Sequence, residues 1–160
     1  MALRAGLLVA VLILLLDLVT KLAILEWIKP PPQGIPLTGF LAIVLVWNRG
    51  MSFGMLNTGD PAVPWILGAV SVAVSIALIW WLARSRRWLV VAGLGLVLGG
   101  AVGNLVDRVL YGAVADFILL HAGRWQWPAF NLADSAITIG VICLLWDSLF
   151  GPRESPKNSG

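Results

Sequence analysis

Charge is scarce in this 160-residue chain: 12% of the residues are Asp, Glu, Lys or Arg, 59% are hydrophobic, and the mean hydropathy is +0.92. A soluble domain carries about 25% charged and about 45–50% apolar residues, so this chain lacks the polar side chains to cover a surface facing water. The same shortage excludes a disordered chain, which is rich in charge and poor in apolar residues. One cysteine, Cys143, rules out a disulfide framework; lying in an apolar run, it reads as a small packing hydrophobe. One histidine, His121, has no second His or Cys near it to share a metal and reads as a solvated loop residue. Nor is there a set of serine, histidine and acid for nucleophilic catalysis. The net charge is +3, but the only dense basic run is Arg84, Arg86 and Arg87, too little for a nucleic-acid-binding patch. What remains is an integral membrane protein of one small domain.

A helix needs about 20 apolar residues to cross the hydrocarbon core. Segments 6–28, 63–83, 88–106 and 133–150 qualify. The first is interrupted by Asp17, Lys21 and Glu26, and the fourth carries Asp134 at its start and Asp147 near its end. Trp27, Trp65, Trp80, Trp81, Trp88, Trp127 and Trp146 fall near the expected ends, where an amphipathic ring prefers the headgroup layer. Arg4, Arg84, Arg86, Arg87, Arg153 and Lys157 gather on one side of these spans. Lys29, Arg49, Arg108 and Arg124 are spread over two longer loops on the other. The denser side is the cytoplasmic one, so both termini face in and the outer segments 29–62 and 107–132 face out. No small-residue cleavage site follows the long first stretch, which reads as an uncleaved span. The polar tail 151–160 reads as a disordered end.

The outer segments are not ordinary loops. PPPQG at 30–34 breaks the first helix. The stretch 35–47, IPLTGFLAIVLVW, is too short to span as a helix and reads as one or two strands at the membrane surface. The whole chain, 1–160, is therefore expected to be a single all-α membrane domain of four transmembrane helices with a small extracytoplasmic β-rich segment.

Ionisable groups inside spans are costly, about 2.5–3.5 kcal/mol for Asp, Lys or Arg at a helix centre. Asp17 and Lys21, four apart on one helix face, are placed to pair and to orient the first helix. In the third span Gly95, Gly99 and Gly103 recur every four residues, a stripe that lets a neighbouring backbone approach closely. Asn104, Asp107 and Arg108 follow at i, i+3 and i+4, and Asp107 and Arg108 also fit an interfacial cap and anchor. Asp116 stands between apolar neighbours in VADFI, and Asn131 and Asp134 lie three apart in FNLAD. Asp134 alone also fits a charge at a helix N-terminus. Two carboxylates meeting in an apolar setting share a proton. One then serves as general base on a water while the other donates a hydrogen bond to a carbonyl. Intramembrane acids also mark proton relays, so a small proton-coupled transporter is the alternative. A transporter places its acids near the midplane and often repeats its halves, and neither feature is evident here.

These blocks match a family. The run 99–108, GGAVGNLVDR, followed by GAVADFI at 112–118, closely resembles lipoprotein signal peptidase, also called signal peptidase II. FNLAD at 130–134, NRGMSFG at 48–54 and Asp17 with Thr20 and Lys21 fit its other blocks in order and spacing, over roughly residues 10–145. The resemblance implies an aspartic endopeptidase of the bacterial inner membrane, active near the outer leaflet and needing neither metal nor other cofactor. Its partners would be prolipoproteins, cut just before a diacylglyceryl-modified cysteine, the membrane lipid itself, and inhibitors of the globomycin type. The resemblance makes Asp116 and Asp134 the catalytic pair. Asn48, Gly50, Gly54, Asn104, Asp107, Arg108, Asn131 and Ala133 become supporting or substrate-binding positions, with Asp17 and Lys21 structural. It also makes 35–47 part of a sheet cradling the substrate, whose signal helix would lie against helices 2 to 4.

Overall fold

The computed structural model describes residues 1–50, 60 and 62–152. Helix α1, Ala2–Leu22, runs on through a π-helical turn, Ala23–Ile28. It stops where Lys29 adopts the left-handed conformation (φ 44°), immediately before the three prolines. Two strands follow, β1 (Ile35–Pro36) and β2 (Leu41–Asn48). Then come α2 (Val63–Arg84), α3 (Trp88–Tyr111), β3 (Val114–Ala122), β4 (Trp125–Gln126) and α4 (Leu132–Phe150). All four helices are long and apolar enough to cross a membrane. The protein is a multi-pass membrane protein. Its outward faces suit lipid: Leu8, Val11, Leu12, Leu15 and Val19 of α1 and Ile139, Ile142 and Leu145 of α4 are exposed.

Helix α3 is the hub. Two thirds of its most apolar stretch (67%) is buried, against 17–22% in the other helices. Glycine makes this possible on two faces. A methyl group added at Gly95 or Gly99 would come within 2.6 Å of the Gly6 or Ala10 carbonyl oxygen of α1. On the other face Gly93 and Gly140 admit each other's backbones, and Gly100 abuts the Ala133 carbonyl of α4. The expected stripe thus packs on α1, and a second one, unforeseen, packs on α4. Leu78 and Leu82 of α2, Ala10 of α1 and Val91, Leu94 and Leu98 of α3 close the apolar core.

At the other end of the bundle lies a four-stranded antiparallel sheet in the order β1-β2-β3-β4. The structure divides 35–47 into two strands and adds β3, which hydropathy concealed because Val114 to Phe117 are buried without alternation. His121 therefore lies on a strand, paired with Gln126, and not in a loop. Two features of the sheet position the polar residues. In the β2–β3 register Val46 stands opposite Asp116 and Asn48 opposite Val114. In addition, Phe130 bridges to Ile118 through backbone hydrogen bonds of 2.8 and 3.0 Å, which brings the start of α4 alongside β3. Helix α3 continues past 106, through Asp107 and Arg108, until Gly112 (φ 66°) ends it.

Candidate active site

Asn131 caps α4. Its side-chain oxygen accepts from the Asp134 backbone N–H at 2.9 Å, and Asp134 Oδ2 accepts from the Asn131 backbone N–H at 3.3 Å. This reciprocal cap fixes the Asp134 carboxyl in the first turn, at the helix end that favours an anion. The Asn131 amide nitrogen points the other way and donates to Asp116 Oδ1 at 2.8 Å. Asn48 Nδ2 donates to Asp116 Oδ2 at 3.0 Å. Asn104 Nδ2 donates to Asp134 Oδ1 at 2.8 Å. Each carboxyl is therefore aimed by donors from two different elements.

The expected meeting of Asp116 and Asp134 takes a specific form. Among the described residues no hydrogen bond joins the two carboxyls, and Asn131 bridges them. Asp116 is 2% exposed, and its pKa is pushed up to about 7. Burial is the main cause and the nearby Asp134 charge the second, opposed by the amide donors of Asn48 and Asn131 and by the Lys21 charge. Asp134 is half-buried.

Beneath this pair lies a buried ionic layer. Lys21 Nζ pairs with Asp17 Oδ2 at 2.7 Å and Asp107 Oδ2 at 2.9 Å and donates to Asn104 Oδ1 at 3.2 Å. Asp17 Oδ1 accepts from the Ala133 N–H at 3.0 Å, and Asp107 Oδ2 accepts from the Ala115 N–H at 3.0 Å. The expected Asp17–Lys21 pair is present. Asp107 does not pair with Arg108, because consecutive residues on a helix point about 100° apart. Arg108 turns away and donates to the Asn104 carbonyl at 3.2 Å and the Gly50 carbonyl at 3.3 Å. Gly50 N–H donates to Asn48 Oδ1 at 3.0 Å, completing the turn that holds Asn48 against Asp116. Gly54 lies outside the described residues. Lys21 is the residue whose reach the sequence understated: its spacing to Asp17 was legible, its contacts with Asp107 and Asn104 on another helix were not.

Cavities border both carboxyls. Asp134 borders a cavity of about 250 Å³ between α2, α3 and α4, with Leu67, Val70 and Ile137 among its walls. It also borders one of about 360 Å³ under Trp127 and Phe130. Asp116 and Asn48 border a third, about 550 Å³, on the sheet side with Trp47 and Trp127. Two carboxyls linked through Asn131, its side-chain nitrogen on Asp116 and its backbone N–H on Asp134, with cavities beside each, are an arrangement able to activate a water.

Comparison with known proteins agrees in scale and in kind. Residues 9–150 match the family model described as signal peptidase (SPase) II. The chain is 44% identical to a lipoprotein signal peptidase of Rhodopseudomonas palustris (strain TIE-1), over 92% of this chain and 93% of that protein. It is 46% identical to one from Methylobacterium sp. (strain 4-46), over 91% and 88%. A solved structure described as a bacterial membrane enzyme superposes with a TM-score of 0.78 at 31% identity, covering 95% of this chain and 94% of the other.

Proposed function

The chain belongs to the signal peptidase II family, and on that footing we propose that it is an intramembrane aspartic endopeptidase. It removes the signal peptide from bacterial prolipoproteins by cutting just before the diacylglyceryl-modified cysteine. The observation that carries the mechanism is that Asn131 donates to both carboxyls, from its side-chain nitrogen to Asp116 and from its backbone N–H to Asp134, together with the raised pKa of Asp116. The pair holds one proton, on Asp116, where burial favours the neutral form. Asp134 takes a proton from the attacking water while Asp116 donates its own toward the scissile carbonyl. The tetrahedral intermediate then collapses as a proton passes to the leaving nitrogen. Asn48, Asn104 and Asn131 hold the carboxyls in place throughout, and the Lys21 layer and the Arg108–Gly50 contact hold the asparagines and the turn. No cofactor is required by this chemistry.

The sheet and the cavities suggest how substrate is seated. The signal helix lies in the groove between α2, α3 and α4, and the peptide continues over β2 and β3 past Asp116. The diacylglyceryl chains stay in the outer leaflet, where two acyl chains anchor firmly; a protease for such a substrate must work at that depth. Globomycin-type cyclic peptides occupy the same groove. The enzyme sits in the inner membrane with both termini in the cytoplasm. A proton-coupled transporter is disfavoured by the gathering of the acids at one end of the bundle. The test is an assay of the purified full chain in detergent on a synthetic prolipoprotein peptide, with and without its diacylglyceryl group. Release of the signal peptide from the lipidated form alone supports the reading. No release, or equal cleavage of the unlipidated form, refutes it.

A further inference from the structure

The end of the bundle opposite the carboxyls carries another cavity, one that the proposed peptidase chemistry does not use. It has about 580 Å³ and lies where the α2–α3 connection passes the last turn of α4. Trp81, Arg84, Ser85, Arg86, Arg87 and Asp147 are among its walls. From Asn104 to Arg87 the distance along α3 is about 25 Å at 1.5 Å per residue, close to the thickness of the hydrocarbon core of about 30 Å. The two sites therefore face opposite leaflets.

The arginines in this cavity are held in different ways. Arg87 Nη1 pairs with Asp147 Oδ2 at 2.7 Å, so one guanidinium is fixed by an acid that is itself 9% exposed. Arg84 lies 4.0 Å from the centre of the Trp80 ring and donates to the Trp80 carbonyl at 3.2 Å. Arg86 is exposed and has no ion-pair or hydrogen-bond partner among the described residues. Three positive charges against one carboxylate leave the cavity electropositive. Its rim is set at headgroup depth by Trp81 and by Trp88 and Trp146 close by, all exposed. An orienting charge would need no cavity. A recess between helix ends, lined by three guanidinium groups of which Arg87 is fixed by an acid and Arg86 is left to donate, suits a phosphate.

We propose that this cavity binds the headgroup of an anionic phospholipid, of the phosphatidylglycerol kind, from the leaflet opposite the peptidase site. The bound lipid ties the α2–α3 connection to the end of α4. The claim does not depend on the reaction or on which leaflet is cytoplasmic.

The experiment uses the full chain in nanodiscs of pure phosphatidylcholine and in nanodiscs with 20 mol% phosphatidylglycerol. Thermal unfolding is measured in both, and native mass spectrometry counts retained lipids. Phosphatidylglycerol is expected to raise the unfolding midpoint and to leave one retained anionic lipid. Arg86→Gln should lose at least half of that rise and the retained lipid, with its midpoint in pure phosphatidylcholine unchanged. Arg4→Gln, which removes an equal charge outside the cavity, should keep both. Equal losses in the two variants would show a diffuse charge effect and overturn the site. An equal midpoint rise from millimolar inorganic phosphate would show that the cavity takes a free anion and not a lipid.

Discussion

At the scale of single residues, the account turns on how Asp116 is held. A carboxyl whose folded pKa is raised from 3.8 to about 7 binds its proton more tightly when folded than when unfolded. Its contribution to stability is therefore complete below the unfolded pKa and is lost as pH rises through about 7. In the proposed mechanism protonated Asp116 donates to the carbonyl, so peptide release should fall over the same interval. A release rate that stays flat from pH 6 to pH 9 would argue against that assignment. Asn131 offers a second test, since its oxygen caps α4 and its nitrogen serves Asp116 and Asn104. Asn131→Ala should cost about 1 kcal/mol of stability through the lost cap. Asn131→Asp keeps the capping oxygen and removes the bridge. A hydrogen bond to the neutral Asp116 carboxyl is worth about 0.5–1.5 kcal/mol, so release should drop by up to about tenfold. The new carboxylate, buried against Asp116 and the Asn104 oxygen, should lower the unfolding midpoint at least as far as alanine does. Most of these site residues were legible one by one, because polar residues in an apolar chain are few and each needs a reason. Their partners were not: the sequence offers Asp107 as an interfacial cap, and only the packing of α1 against α3 gives it to Lys21.

The helices were legible as elements because a span needs length and hydropathy, and both are local. The sheet was half legible. Leu41–Asn48 is rich in β-branched residues and bounded by turns, whereas Val114–Ala122 is buried on both faces at its start and shows no alternation. Nothing local announces the Phe130–Ile118 bridge, which is made by two backbones distant from the helices' hydrophobic signal. The glycine stripe makes a prediction at this scale. Gly99→Leu drives a side chain into the Ala10 carbonyl region of α1, a backbone that cannot step aside. Overpacking of this kind costs about 1–3 kcal/mol, so folded yield in detergent should fall. Gly39→Leu, facing open space, should fold normally. Lys21→Met is the harsher case. It strands Asp17 and Asp107 together in a buried layer, and breaking such a set costs about 3–5 kcal/mol. Gel filtration and thermal unfolding of the three variants should rank Gly39→Leu above Gly99→Leu above Lys21→Met.

For the whole molecule, the four spans separate a carboxyl end from an arginine end, and in the proposed function orientation decides which faces the substrate. A reporter inserted at Gly123, the exposed β3–β4 turn, should lie outside the cell, and one at Ser85 should lie in the cytoplasm. The reverse pattern would put the carboxyls in the wrong leaflet for a lipoprotein precursor emerging on the outer side. The central claim, that Asp116 and Asp134 act together as one unit, is tested most directly by asparagine substitution. The measurement is single-turnover release of signal peptide from a lipidated substrate by wild type, Asp116→Asn, Asp134→Asn and the double variant, each first shown to be folded. Residues that work as a unit lose nearly everything at the first removal. Both single variants should fall below detection or to a common residual rate, and the double variant should be no worse than either. The account is contradicted if either folded single variant releases peptide at a near-normal rate, most sharply if Asp107→Asn is dead while Asp116→Asn turns over.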